Sequence, residues 1–255
     1  MKSSCFIIGS CHGLLCSKFR RTGFYVSNLS TKESKRIPEP EVKFWFWDDF
    51  CCVMGFGYDH SVDDYKLVTA DKKSFYVYSL RTDSWKKVQG LPNSHKNGAI
   101  PVAPGVPLNG AIHWIYNDRG SIKIVAFCLA DEKFWEFPDP IPSMEFIDAL
   151  GLLGGCLCIT PYNNGRELWV MKEYGVAQAW TKVAIEIPCY RIRLLALLEN
   201  HEVILKIDSE KLVLYNSRER TYRYLVLRNF PDVENCTFEG AYVESMVSPC
   251  HGSLS

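Results

Sequence analysis

Phe75-Tyr76-Val77-Tyr78-Ser79-Leu80, followed by Arg81-Thr82-Asp83-Ser84-Trp85-Lys86-Lys87-Val88, decides the fold. A run of aromatic and β-branched residues, a polar turn and a second aromatic-bearing run mark an antiparallel hairpin. The pattern recurs. Ile122–Phe127 leads to Phe134–Phe137, Leu168–Met171 to Trp180–Val183, and Leu212–Tyr215 to Tyr222–Leu225. The first runs start roughly 45 residues apart, the period of a four-stranded propeller blade.

Another strand precedes each hairpin: Asp64–Val68, Gly110–Trp114, Gly155–Ile159 and Glu202–Leu205. Ahead of these, Met54–Tyr58 and Ala149–Leu153 carry the glycines that suit an inner strand, where backbones approach closely. An N-terminal set repeats the plan through Ile7–Cys11, Gly13–Ser17, Phe24–Leu29 and Ser34–Ile37. Ala241–Val247 is left over; it either completes the first sheet or begins a sixth. Almost no segment has a helical period. The expected fold is all-β, a propeller-like ring of five to six four-stranded antiparallel blades, with a β-sandwich as the competing architecture. At 255 residues, 47% hydrophobic and without a Pro-, Gly- or Ser-rich linker, residues 1–255 read as a single domain.

Charge narrows the function classes. Lys plus Arg equals Asp plus Glu, 29 against 29, so no global field attracts nucleic acid or an anionic membrane, and neither is expected as a partner. The apolar start around Phe6–Ile8 is too short for a signal peptide, and Leu194–Leu198 is too short to span a bilayer. Eleven irregularly spaced cysteines read as reduced thiols, placing the chain in the cytoplasm, the nucleus or both. The sequons Asn28-Leu29-Ser30 and Asn235-Cys236-Thr237 are then expected to stay unmodified.

The order of several motifs resembles the type 1 F-box-associated domain of plant F-box proteins, including the S-locus and kelch-associated groups. The matching stretches are Gly9–Cys16, Gly55–Asp59 with Asp63–Val68, Val77–Trp85, Leu108–Trp114, Leu152–Cys158, Leu168–Gly175 with Trp180–Lys182, and Tyr242–Pro249. His12, Leu29 and Cys128 depart from the family's usual Asn, Pro and Asp. The resemblance implies a substrate-recognition module of a cullin-based SCF-type ubiquitin ligase that binds a target protein for ubiquitination. It also implies an F-box of roughly forty residues ahead of the domain, which would engage a Skp-type adaptor and cullin. With the first motif at Gly9, the chain is expected to keep the target-binding part only. A glycan- or peptide-binding propeller without a ubiquitin role is the alternative.

Catalytic and metal motifs are weak, and the chain is read as no enzyme, with no cofactor. Gly9-Ser10-Cys11-His12-Gly13 imitates a nucleophile elbow, but Leu14-Leu15-Cys16 continues as a strand rather than a helix. The cysteines lack paired C-x₂-C spacing, and Cys156 and Cys158 share one strand face as small hydrophobes. Asp59, Asp63 and Asp64 read as a hairpin turn with exposed carboxylates, and His113 as a locally satisfied packing residue. A copper-oxidase set would need Tyr, Cys and His to converge, for example around His60. Trp85, Trp135 and Trp180 share a blade position and read as packing residues.

Partner contacts are expected on loops at one rim, which vary without loss of the fold. The candidates are Phe44, Trp45, Phe46 and Trp47, then Asn117, Arg119, Asn163, Asn164, Arg166, Arg191 and Arg193. Aromatic and Arg side chains are the usual interface anchors. For Phe44–Trp47 the competing reading is a strand or loop packed into the core.

Overall fold

A computed structural model describes residues 5–19, 22–40, 53–70, 74–90, 104–118, 121–137, 147–161, 167–198, 202–208, 211–226 and 242–250. They form five four-stranded antiparallel sheets, each a blade built in chain order. The first sheet is β1 (Cys5–Cys11), β2 (Leu14–Phe19), β3 (Gly23–Asn28) and β4 (Glu33–Ile37). The second is β5 (Met54–Asp59), β6 (Asp64–Ala70), β7 (Phe75–Ser79) and β8 (Ser84–Val88). The third is β9 (Val106–Leu108), β10 (Ala111–Asp118), β11 (Ser121–Cys128) and β12 (Lys133–Phe137). The fourth is β13 (Ile147–Leu153), β14 (Cys156–Pro161), β15 (Glu167–Met171) and β16 (Trp180–Ala184). The fifth is β17 (Ile192–Leu197), β18 (Glu202–Ile207), β19 (Lys211–Asn216) and β20 (Thr221–Leu225). The first three sheets and residues 242–255 make one compact unit, and residues 138–241 make another. No helix among the described residues is long and apolar enough to cross a membrane.

Turn chemistry explains the repeat. Between first and second strands, His12 and Gly13, Asn109 and Gly110, and Gly154 and Gly155 all have positive φ. Two such residues in succession give the two-residue turn whose twist matches that of the flanking strands. The last turn of a sheet repeats a different device. Asn28, Ser79, Cys128 and Asn216 each accept a backbone N–H two or three residues on. Lys32, Asp83, Glu132 and Arg220 then adopt positive φ just before the outer strand. The Cys128 thiol fills this role at 3.4 Å from the Asp131 nitrogen, so its departure from Asp leaves the turn intact.

In the first unit, Gly55 and Gly105 form a parallel bridge beneath Ile112 and Trp114. A Cβ on Gly105 would lie 2.4 Å from Ile112, so close backbone approach requires glycine there. Trp114 donates to the Met54 carbonyl at 2.9 Å, and Trp85 to that of Pro38 at 2.7 Å. Phe134, rather than Trp135, takes the position of Trp85. It packs on Phe75, Phe127 and Trp114, whereas Trp135 is exposed on the other face of β12. The expected packing role of Trp135 is therefore corrected by one residue.

The expected exposure of Asp59 and Asp64 is also corrected: both are 2% exposed. Asp59 accepts from Ser61 and pairs with Lys66 at 2.9 Å. Lys66, from the second sheet, also donates to the Leu129 carbonyl at 2.6 Å and to Glu132 at 3.2 Å in the third. Lys86 completes the set at 2.6 Å from Glu132. Burial pushes the Asp59 carboxyl up, but hydrogen bonds from Ser61 and Lys66 outweigh it and hold the group below its ordinary range.

Residues 242–248 form no β-ladder, contrary to both readings of Ala241–Val247 as a strand. They are held by a side chain. The Asn28 amide nitrogen donates to the carbonyls of Ser245 at 2.9 Å and Val247 at 2.7 Å. Its oxygen accepts from the Tyr242 hydroxyl and the Ser30 amide, each at 2.8 Å. Gly13 leaves room for the segment, since a Cβ there would lie 2.1 Å from the Ser245 hydroxyl oxygen.

Candidate functional site

Of the expected rim candidates among the described residues, Arg191 and Arg193 lie in the second unit and Asn117 in the first. The core of the second unit runs through Ile185, Ile187, Ile192, Leu205, Ile207, Val213 and Tyr215, so the link from β16 to β17 is pinned by two buried isoleucines. Beyond Ile187 the link turns outward, and Tyr190 is 81% exposed. One Asp208 carboxylate oxygen accepts the Tyr190 amide at 2.9 Å and the Arg191 amide at 3.1 Å. The Asp208 amide returns a bond to the Arg191 carbonyl at 3.1 Å. An exposed aromatic on a backbone fixed by three hydrogen bonds needs little ordering on binding.

Across the sheet, Ile192 pairs with Ile207, and Arg193 lies directly opposite Lys206. Lys211 begins the next strand, with its ammonium 5.9 Å from the centre of the Tyr224 ring. Tyr222 and Tyr224 meet edge to face at 5.9 Å and remain 37% and 52% exposed. Their exposure contrasts with Trp180 on the outer strand of the fourth sheet, which is buried.

The structure sorts the sequence candidates. Arg191 sits in the pinned link, as expected of a loop residue, and both it and Arg193 are half-buried. Arg193 belongs to β17 rather than to the loop. Asn117 is paired with Ile122 in the β10–β11 ladder, so its backbone is strand rather than loop. Phe44, Trp45, Phe46, Trp47, Arg119, Asn163, Asn164 and Arg166 lie outside the described residues. Tyr190 and Asp208 are the additions. Only the fold shows that Tyr190 is displayed and that Asp208 fixes it.

The chemistry-like motifs resolve into packing. Gly9–Gly13 is the end of β1 and a two-residue turn into β2, and burial pushes the Cys11 thiol up to about 12, away from a reactive thiolate. His12 and His60 do converge on Tyr58, with ring centres 4.9 and 4.7 Å from it. Among the described residues, however, no three His, Cys, Asp or Glu side chains are placed to hold a metal ion. Burial pushes Cys158 to about 12 as well. His113 is fully buried, bonded through Nδ1 to the Val106 carbonyl at 3.1 Å and packed edge-on against Phe137.

Comparison with known proteins agrees with this architecture. The F-box associated beta propeller domain family matches residues 2–248. F-box/kelch-repeat protein At3g23880 of Arabidopsis thaliana is 30% identical over 262 residues, covering 95% of this chain and 69% of that protein. F-box protein CPR1 of the same plant is 26% identical over 292 residues, covering 98% of this chain and 69% of that protein. The solved nidogen/laminin complex shares the fold alone, with a TM-score of 0.54 at 11% identity, covering 85% of this chain and 78% of that one. Five antiparallel blades and a family match spanning both compact units lead to one identification: the chain belongs to the F-box associated beta propeller domain family.

Proposed function

We infer that the chain is the target-recognition module of an SCF-type ubiquitin ligase, holding a protein for ubiquitination while an F-box engages the Skp-type adaptor and cullin. Its family and its F-box relatives support this reading. The module works by binding rather than by catalysis, as one domain over residues 1–255, in the cytoplasm or nucleus. The observation that carries the binding site is Tyr190, 81% exposed on a link that Asp208 fixes. The rim candidates outside the described residues, Phe44–Trp47 among them, belong to the same proposal.

Affinity purification with the 255-residue chain as bait tests it, comparing wild type with Tyr190→Ala. A target enriched by the wild type and reduced tenfold by the variant is expected, since about 1.4 kcal/mol at one hot spot is tenfold in affinity. Equal capture by both baits removes this rim from the site. A captured set made only of glycoproteins that detach on deglycosylation would favour the glycan-binding alternative.

A further inference from the structure

We propose that His12 and His60 form a binding site for one late first-row divalent metal ion, of the Cu²⁺, Ni²⁺ or Zn²⁺ class, clamped between the first and second sheets. This inference goes beyond the recognition reading above and does not depend on it.

Three observations converge on it. First, the two imidazole rings are 6.0 Å apart, centre to centre. A ring centre lies about 1.1 Å from its nitrogens and a metal–nitrogen bond is about 2.0–2.1 Å, so one ion can serve both rings up to a separation of about 6.3 Å. A tetrahedral ion would draw the centres in to about 5.1 Å, a shift of about 0.9 Å that two exposed side chains can make by rotating. Second, both rings stand on backbone that is already fixed. His12 opens the two-residue turn into β2, at φ 46°. That turn is packed against the C-terminal segment, since a Cβ on Gly13 would lie 2.1 Å from the Ser245 hydroxyl oxygen. His60 stands between Asp59 and Ser61, and the Asp59 carboxylate holds the Ser61 amide at 2.9 Å and its hydroxyl at 2.6 Å. Tyr58 lies edge-on to both rings, at 4.9 and 4.7 Å, and limits how far either turns away. Third, the Tyr65 hydroxyl is buried with no hydrogen-bond partner among the described residues, on a ring 6.1 Å from that of His12. A buried polar group of that kind calls for an ion or a bound water beside it.

The donor set selects the metal. Imidazole nitrogen suits Cu²⁺, Ni²⁺ and Zn²⁺ and is a poor match for Mg²⁺ or Ca²⁺, which take oxygen ligands. Cu²⁺ binds tightest, standing at the top of the divalent series. Two imidazoles supply two coordination positions, and no third His, Cys, Asp or Glu among the described residues is placed to join them. Water fills the rest, so the ion stays exchangeable on a surface where both histidines are exposed. His12 belongs to the turn between β1 and β2, and His60 to the turn between β5 and β6. The bound ion therefore ties the first sheet to the second and stabilises the folded chain by mass action.

Calorimetric titration of the untagged 255-residue chain with CuCl₂ tests the assignment, after iodoacetamide has capped the accessible thiols, Cys5 and Cys250 among them. One equivalent is expected to bind, with electron paramagnetic resonance showing two imidazole nitrogens on the copper. His12→Asn and His60→Asn should each weaken binding tenfold or more. Both replace exposed side chains, and Asn tolerates the positive φ of His12, so the fold is kept; His60→Asn carries the test if His12→Asn fails to fold. His201→Asn should change the affinity less than twofold. Zn²⁺ should bind more weakly than Cu²⁺, and Mg²⁺ not at all. Copper should also raise the melting temperature of the wild type and leave that of His60→Asn unmoved. Equal affinity of the wild type and His60→Asn overturns the proposal. So does an equal loss from His201→Asn, or a spectrum with an amine nitrogen in place of imidazole, which marks copper at the N-terminus of the chain. None of these outcomes touches target capture through Tyr190, which stands or falls by its own test.

Discussion

Lys66 in the second sheet and Lys206 in the fifth are both mid-sheet lysines, yet their surroundings are opposite. Lys66 is 6% exposed and touches two carboxylates and a carbonyl within 3.2 Å. Lys206 is half-buried and faces Arg193 across the ladder. In the first region opposite charges are gathered and buried, so they join two sheets. In the second, two like charges share one face of the ladder nearer to solvent, an arrangement that by itself weakens a sheet slightly. The same residue type therefore joins two sheets in one region and stands beside a like charge in the other, according to what stands opposite it.

The largest expected effect lies on the cohesive side. Lys66→Met strands Asp59 as a buried charge, a change that costs about 3–5 kcal/mol. For a domain of this size that lowers the melting temperature by about 6–20 °C. Adding Asp59→Leu should recover part of the loss, because replacing both partners removes the orphaned charge. A Lys66→Met variant that melts with the wild type would dissolve the contrast between the two regions.

The next effect is a pH profile. Burial pushes His113 down to about 4 from its ordinary 6.5, against the pull of its bond to Val106. A histidine kept neutral in the fold contributes stability that is present above the unfolded value and lost as pH falls toward the folded one. The window is therefore pH 6.5 down to 4, and the loss totals about 3 kcal/mol. Denaturant melts across this window should slope for the wild type and flatten for His113→Gln. Matching slopes would show that the buried polar groups of the first unit are not set against protonation.

Asn28→Ala comes third, at about 2 kcal/mol, since it leaves the Ser245 and Val247 carbonyls without their donor. Limited proteolysis should then cut near residues 242–247 before the sheets open. The smallest effect has the opposite sign. Arg193→Glu converts a like-charge pair into an opposite one and should raise stability by about 0.2–1 kcal/mol. A drop instead would make Arg193 cohesive, and the comparison with Lys66 would no longer separate the two regions.

The strand plan was legible because alternation and turn residues are local. Phe75–Leu80 and its three counterparts are all third strands of their sheets, as their spacing predicted. What failed was long-range or ambiguous by one residue. Phe134 and Trp135 are adjacent aromatics, and only the register with Phe127 decides which faces the core. Asp59 looked like turn decoration because its stabilising contacts run through Lys66 to Leu129, far along the chain. Ala241–Val247 alternates like a strand, but the carbonyls of Ser245 and Val247 are taken by an asparagine side chain more than two hundred residues away. At the rim, Arg191 and Arg193 were visible as interface residue types. The display of Tyr190 depended on Asp208, whose role as an anchor has no local signature.

The Asn28 contacts also bear on trafficking. Asn28-Leu29-Ser30 is an acceptor sequence for an N-linked sugar, and the sugar would attach to the very nitrogen that binds Ser245 and Val247. With Asn28 1% exposed, a glycan there removes one donor hydrogen and has nowhere to go. Glycosylation and the native fold exclude each other at this residue. A chain sent into the secretory pathway should therefore divide into two populations, one folded and bare, the other sugar-bearing with its C-terminal segment undocked. A sugar on this one asparagine thus reports both entry into that pathway and loss of the docked C-terminal segment.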